Sequence, residues 1–154
     1  MEYVKIEKTS TGYLLDPNCY LDWLDESSDL LPDGAMAFAT DPGHYDVHSP
    51  RCVKDLRLVR AVLRDGQEGV SAEILLGVRD SDRKGWEIQY SNVAEFSVSS
   101  RYGDIVNEAD FWKLGKVQLD EILPHKEGCR HEIQLLDGVI VVVAADIDSI
   151  WVEN

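Results

Sequence analysis

Cys129-Arg130-His131-Glu132-Ile133-Gln134-Leu135-Leu136-Asp137-Gly138-Val139-Ile140-Val141-Val142-Val143-Ala144 decides the fold class of this chain. Residues 129–136 read as one strand. Asp137-Gly138 is the strongest hairpin signal in the sequence, because these two residues tolerate the positive φ angles of a tight turn between strands. Residues 139–144 return as a continuous apolar run. Such a run predicts a central strand covered on both faces.

Upstream of this hairpin the strand pattern continues. Trp86, Ile88 and Tyr90 alternate with Glu87, Gln89 and Ser91, the signature of a half-buried strand. Ser91-Asn92 breaks the alternation, and Ala94, Phe96 and Val98 resume it. Residues 71–80 form a further strand around Ile74-Leu75-Leu76, closed by the polar turn Ser81-Asp82-Arg83-Lys84-Gly85. Residues 53–65 fit two descriptions. Leu56 and Leu58 alternate on one parity, and Val59, Ala61 and Leu63 on the other. A bulged strand explains the phase change, and so does an amphipathic helix; the strongly β surroundings favour the strand. Residues 104–124 read as a helix or an irregular strand ended by Pro124, and residues 147–152 as a last short strand.

Towards the N-terminus, residues 3–8 read as a strand. Asp16-Pro17 starts a helix, with Asp16 as cap and Pro17 at the first helical position. Tyr20, Leu21, Trp23 and Leu24 follow on one side of it, and Asp22, Asp25, Glu26 and Asp29 on the other. Pro32-Asp33-Gly34 stops the helix, and residues 35–40 read as strand. The total is about eight short strands with one or two helices, an α+β fold of mainly antiparallel β-sheet. The length of 154 residues predicts a single globular domain over residues 1–154.

Charge is unevenly placed. The net charge is −14, from 15 basic and 29 acidic side chains. Residues 1–50 hold 2 basic and 10 acidic groups (−8), residues 51–100 hold 8 and 8 (zero), and residues 101–154 hold 5 and 11 (−6). Such a surface repels nucleic acid and anionic membranes and attracts cationic partners. Cys19, Cys52 and Cys129 are odd in number and without motif spacing, which argues against a disulfide framework and for the cytoplasm. Neither a signal segment nor a bilayer-length apolar run stands in the sequence.

Candidate chemistry is sparse. In an extended segment His44, Asp46 and His48 would share one face and offer two imidazoles and a carboxylate to a metal, with Asp41 or Cys52 near as a fourth donor. The alternative is a polar loop between Pro42 and Pro50. Cys52 with His44 or His48 could be drawn as a nucleophile and base, but no signature surrounds it, and a buried, inert thiol is the simpler reading for all three cysteines. Carboxylate pairs such as Asp120 with Glu121 are expected by chance among so many acids. No phosphate-binding glycine loop is present and no cofactor is called for. Lys54, Arg57, Arg60 and Arg64 could form a basic stripe, yet interleaved acids favour salt bridges over nucleic-acid binding.

Lys54-Asp55-Leu56-Arg57-Leu58, Gly85-Trp86-Glu87-Ile88-Gln89-Tyr90-Ser91-Asn92-Val93 and His131-Glu132-Ile133-Gln134-Leu135-Leu136-Asp137-Gly138 lie in a strand layout that resembles small stand-alone bacterial proteins, among them immunity proteins of bacterial toxin systems. The resemblance covers about two-thirds of the chain. It implies a cytoplasmic protein that binds and blocks a cationic toxin domain, a nuclease being one such target. It transfers no contact residues. Within this chain the residues suited to such contact are Tyr20 and Trp23 as aromatic anchors, with Asp22, Asp25, Glu26 and Asp29 around them. The ordinary alternative is a helix whose aromatics pack inward. Two further readings stay open: a small metal-binding protein or hydrolase using His44, Asp46 and His48, and a homo-oligomer joined through a strand edge.

Overall fold

The hairpin expected at Asp137-Gly138 is present but one residue earlier: Leu136 and Asp137 form the turn, Gly138 already belongs to the second strand opposite Leu135, and neither Asp137 nor Gly138 takes a positive φ. A computed structural model describes residues 1–27, 29–100 and 114–153. In chain order its strands are β1 (Lys5–Thr9), β2 (Gly12–Asp16), β3 (Arg57–Gly66), β4 (Gly69–Gly77), β5 (Lys84–Ser91), β6 (Glu95–Ser100), β7 (Val117–His125), β8 (Gly128–Leu135), β9 (Gly138–Ala144) and β10 (Asp146–Glu153). Helices α1 (Asn18–Glu26) and α2 (Asp33–Ala39) lie between β2 and β3.

All pairings are antiparallel. β1 and β2 form a hairpin, and two four-stranded sheets have the orders β10-β5-β4-β3 and β6-β9-β8-β7. The two larger sheets share corners. β5 bends into β6 while β9 bends into β10, and the bend stays bonded: Ala145 N–H donates to Ser91 O and Ala94 N–H to Val143 O, both at 2.8 Å. Asn92, with φ 48°, takes the turn. At the opposite corner Val117 N–H donates to Leu56 O at 2.6 Å and Asp55 N–H to Val117 O at 2.9 Å. The hydrogen-bonded ladder therefore runs in a ring, with bent strands passing from one sheet to the other.

Alternate residues fill that ring. Ala72, Ile74 and Leu76 of β4 meet Trp86, Ile88 and Tyr90 of β5, Ile133 and Leu135 of β8, and Ile140 and Val142 of β9 in one core. Period-two burial is the direct cause, since successive side chains of a strand leave opposite faces. α1 docks through buried Tyr20 and Leu24. α2 lies along β10, where the Asp146 carboxylate accepts the N–H groups of Ala35 (2.9 Å) and Gly34 (3.2 Å), two donors that a helix start leaves free. A side chain at Gly34 would put its Cβ 1.9 Å from the Ile147 carbonyl oxygen, so this approach requires glycine.

The structure departs from the sequence expectations at definite points. Residues 53–65 are strand in their later part, as β3, and the ladder shifts register between Leu58 and Arg60. Residues 35–40 are not a strand: α2 takes 35–39 and Thr40 caps it, and the helix start is held by Asp146 from a distant part of the chain. β2 was not foreseen, and the strand count among the described residues is ten instead of eight. α1 starts at Asn18, one residue later than expected, with Asp16 Oδ1 accepting its N–H at 2.9 Å. Pro124 does not end its element; it pairs with Cys129 inside β7, which tolerates it as the outer strand of its sheet. β9 is interior to its sheet, but Val139 and Val141 remain half-buried on the outer face. Residues 104–113 of the expected helix or strand lie outside the described residues. Among the described residues no helix is long and apolar enough to cross a membrane.

Candidate functional site

The acidic side of α1 forms an open surface. Asp22, Asp25 and Glu26 are exposed, and so is Asp29 just beyond the helix. None of the four has an ion-pair partner among the described residues. Leu30 beside them is 59% exposed. Trp23 is half-buried, its ring stacked between Tyr3 (5.3 Å) and Tyr20 (5.7 Å). Tyr20 does not join this surface. It is completely buried, its hydroxyl donating to Ile122 O at 2.6 Å and accepting Ile122 N–H at 2.9 Å. Of the two expected aromatic anchors, Trp23 borders the acids and Tyr20 fixes the helix beneath it.

His44, Asp46 and His48 do not meet. Their segment is a run of turns instead of a strand, so the alternation that would put them on one face is missing. Asp46 turns back to accept the His48 N–H at 2.9 Å, and both side chains are exposed. His44 points the other way, into the core, 4.4 Å from Phe38 between ring centres. Among the described residues no group of three or more His, Cys, Asp and Glu side chains is arranged around a metal position.

What His44 does meet is Asp120. Its Nε2–H lies 2.8 and 3.0 Å from the two carboxylate oxygens. His131 Nε2 is hydrogen-bonded to the same carboxylate at 2.9 Å, and the Tyr90 hydroxyl is hydrogen-bonded to His131 Nδ1 at 2.8 Å. Asp120, His44 and His131 are completely buried. Burial alone would raise the Asp120 pKa; the attraction and hydrogen bonds of His44 and His131 outweigh it and hold the carboxyl well below the ordinary range. Tyr45 and Tyr90 are pushed up, chiefly by burial and then by the Asp120 charge. The arrangement is sealed from solvent, so it ties α2's following loop, β5, β7 and β8 together and offers no surface to a substrate.

No family model, no curated protein and no solved structure matches this chain. The reading of its surface therefore rests on its own residues.

Asp120 and its neighbour Glu121 are not a catalytic pair. Adjacent in β7, they serve opposite sides: Glu121 accepts the backbone N–H groups of Glu2 (2.6 Å), Tyr3 (2.6 Å) and Val4 (2.7 Å), fastening the N-terminal segment. The basic stripe is ion-paired. Arg57 meets Asp82, Arg60 meets Glu73 and Glu87, and Arg64 meets Glu73. Cys52 and Cys129 are buried, and burial pushes the Cys129 thiol up to about 12, leaving no reactive thiolate; Cys19 is exposed. Sequence reasoning missed the Asp120 network. Its one legible trace is His131, which occupies an inward position between Cys129 and Ile133 in a strand that is otherwise apolar on that face.

Proposed function

We propose that this chain is a non-catalytic acidic binding protein, an immunity-type inhibitor that blocks a cationic toxin domain, with a nuclease as the fitting target class. The observation that carries this reading is the exposed, unpaired carboxylate group of α1 and its following turn: Asp22, Asp25, Glu26 and Asp29 beside Trp23 and Leu30. Carboxylates around an apolar centre give steering and specificity at the rim and contact area in the middle. Docked on a basic substrate groove, such a surface occupies the place of the nucleic-acid backbone. Burial of the histidine network supports a binding role over a catalytic one, because the described residues bring its polar groups to no open cleft.

The test is capture from native lysate at low salt on immobilised protein, in parallel with the Asp22→Asn, Asp25→Asn, Glu26→Gln, Asp29→Asn variant. The expected result is one stoichiometric basic protein on the wild type, eluted by salt and absent from the variant. Retention of the same protein by both would remove the acidic helix from the account.

A further inference from the structure

Gln118 is a largely buried residue whose carboxamide opens to the surface. It is 7% exposed, and its carboxamide has no hydrogen-bond partner among the described residues. It stands where the β7–β8 register slips between Val117 and Leu119. A bulge leaves its extra residue unpaired and re-aims the side chain. Here the side chain is turned towards two adjoining clefts. The larger, about 510 Å³, lies between the β1–β2 hairpin and the sheet, with Ile6 and Lys8 in its wall. The smaller, about 170 Å³, reaches Leu15 and Lys116. Tyr13, Gln118 and Leu136 line both, so a single groove passes over the free amide.

The chemistry of the groove defines its ligand. A carboxamide presents a donor and an acceptor side by side, the complement of a peptide group. Ile6 and Leu136 supply an apolar contact. Lys8 and Tyr13 are directly opposite in the hairpin, so both side chains leave the same face. Lys8 has no ion-pair partner among the described residues.

We propose that this groove binds an extended peptide segment: one secondary amide on Gln118, an apolar side chain on Ile6 and Leu136, and a carboxylate on Lys8. The carboxylate has two sources, a chain terminus or an acidic side chain, with the same chemistry. The site uses none of the α1 acids and stands independently of the proposed inhibitor role.

The experiment is an NMR titration of the full chain, reading the side-chain NH₂ signals of Gln118. Three probes are added: N-acetyl-leucyl-leucine with a free carboxylate, its C-terminal amide, and N-acetyl-leucyl-aspartic acid α-amide. Saturable movement of Gln118, with Gln67 and Gln89 still, is expected for at least one carboxylate probe. The better of those two identifies the carboxylate source. The neutral probe is expected to bind about tenfold more weakly, as are Gln118→Leu and Lys8→Met with the better probe. Backbone spectra establish that both variants are folded; should Gln118→Leu not fold, Lys8→Met on the exposed hairpin decides. No saturable movement with any probe, or undiminished binding by the neutral probe or a folded variant, would overturn the proposal.

Discussion

The Tyr20 hydroxyl satisfies both backbone groups of Ile122: it donates to the carbonyl at 2.6 Å and accepts the N–H at 2.9 Å. β7 is the outer strand of its sheet, and this hydroxyl takes the place of a neighbouring strand at that point. It is also what sets α1, and hence the acidic surface, against the sheet. Tyr20→Phe keeps the ring and leaves two buried backbone groups unmet. The expected cost is about 1–3 kcal/mol of unfolding free energy. Urea unfolding of the two proteins checks it; a loss below about 0.5 kcal/mol would mean that the hydroxyl does not anchor the helix.

Asp120 predicts an acid limb in the stability profile. Its carboxyl is held below its ordinary value when folded, so as pH falls the unfolded chain takes up the proton first. The contribution is fully present above the unfolded carboxyl value of about 3.9 and is lost progressively below it. Asp120→Asn removes the charge that both histidines meet. The expected outcome is a less stable protein near neutral pH, by about 3–5 kcal/mol, with a flatter profile between about pH 2 and pH 5. Urea midpoints against pH are the measurement. An unchanged acid slope in the variant would contradict the role given to this carboxylate.

Glu121 predicts a local effect at a distance in sequence. Its carboxylate accepts three consecutive N–H groups from Glu2, Tyr3 and Val4. Glu121→Ala leaves them without their acceptor, and hydrogen exchange at Tyr3 and Val4 is expected to accelerate by about tenfold or more, while core amides of β8 and β9 change less. Exchange measured by NMR separates this from global unfolding, which would accelerate all sites together.

Much of the sheet was legible because its cause is local. Asp137-Gly138 signals the β8–β9 hairpin to within one residue of its Leu136-Asp137 turn, and the phase change between Leu58 and Val59 marks the place where β3 bulges. Other features have causes far away in the chain. Ala35 to Ala39 form a helix with the Asp146 carboxylate at its start, across more than a hundred residues. His44 meets Asp120 across a separation of 76, and its closeness to Asp46 and His48 in sequence has no counterpart in space. Tyr20 shares the helical pattern of Trp23, and only the position of Ile122 decides that one is core and the other borders the surface. Gln118 looks like any strand polar residue until the β7 register slip is known.

The α1 carboxylates are exposed and unpaired, so removing their charge should leave the fold nearly untouched. The Asp22→Asn, Asp25→Asn, Glu26→Gln, Asp29→Asn variant is expected to unfold within about 0.5 kcal/mol per substitution of the wild type. A calorimetric or urea comparison checks this. A collapse in stability would mean that these groups serve the fold and would remove the basis for a binding surface.

The central claim is that this acidic surface captures a cationic protein by charge. The most direct measurement is the association rate of wild type and of the charge-neutralised variant with the captured basic partner, across ionic strength. The account predicts a wild-type rate that falls at least about tenfold between roughly 20 mM and 500 mM salt, as screening shortens the reach of the charges, and a variant that is slower at low salt and nearly insensitive to it. Wild-type association equally fast at low and high salt, or a variant that matches it throughout, would contradict the claim.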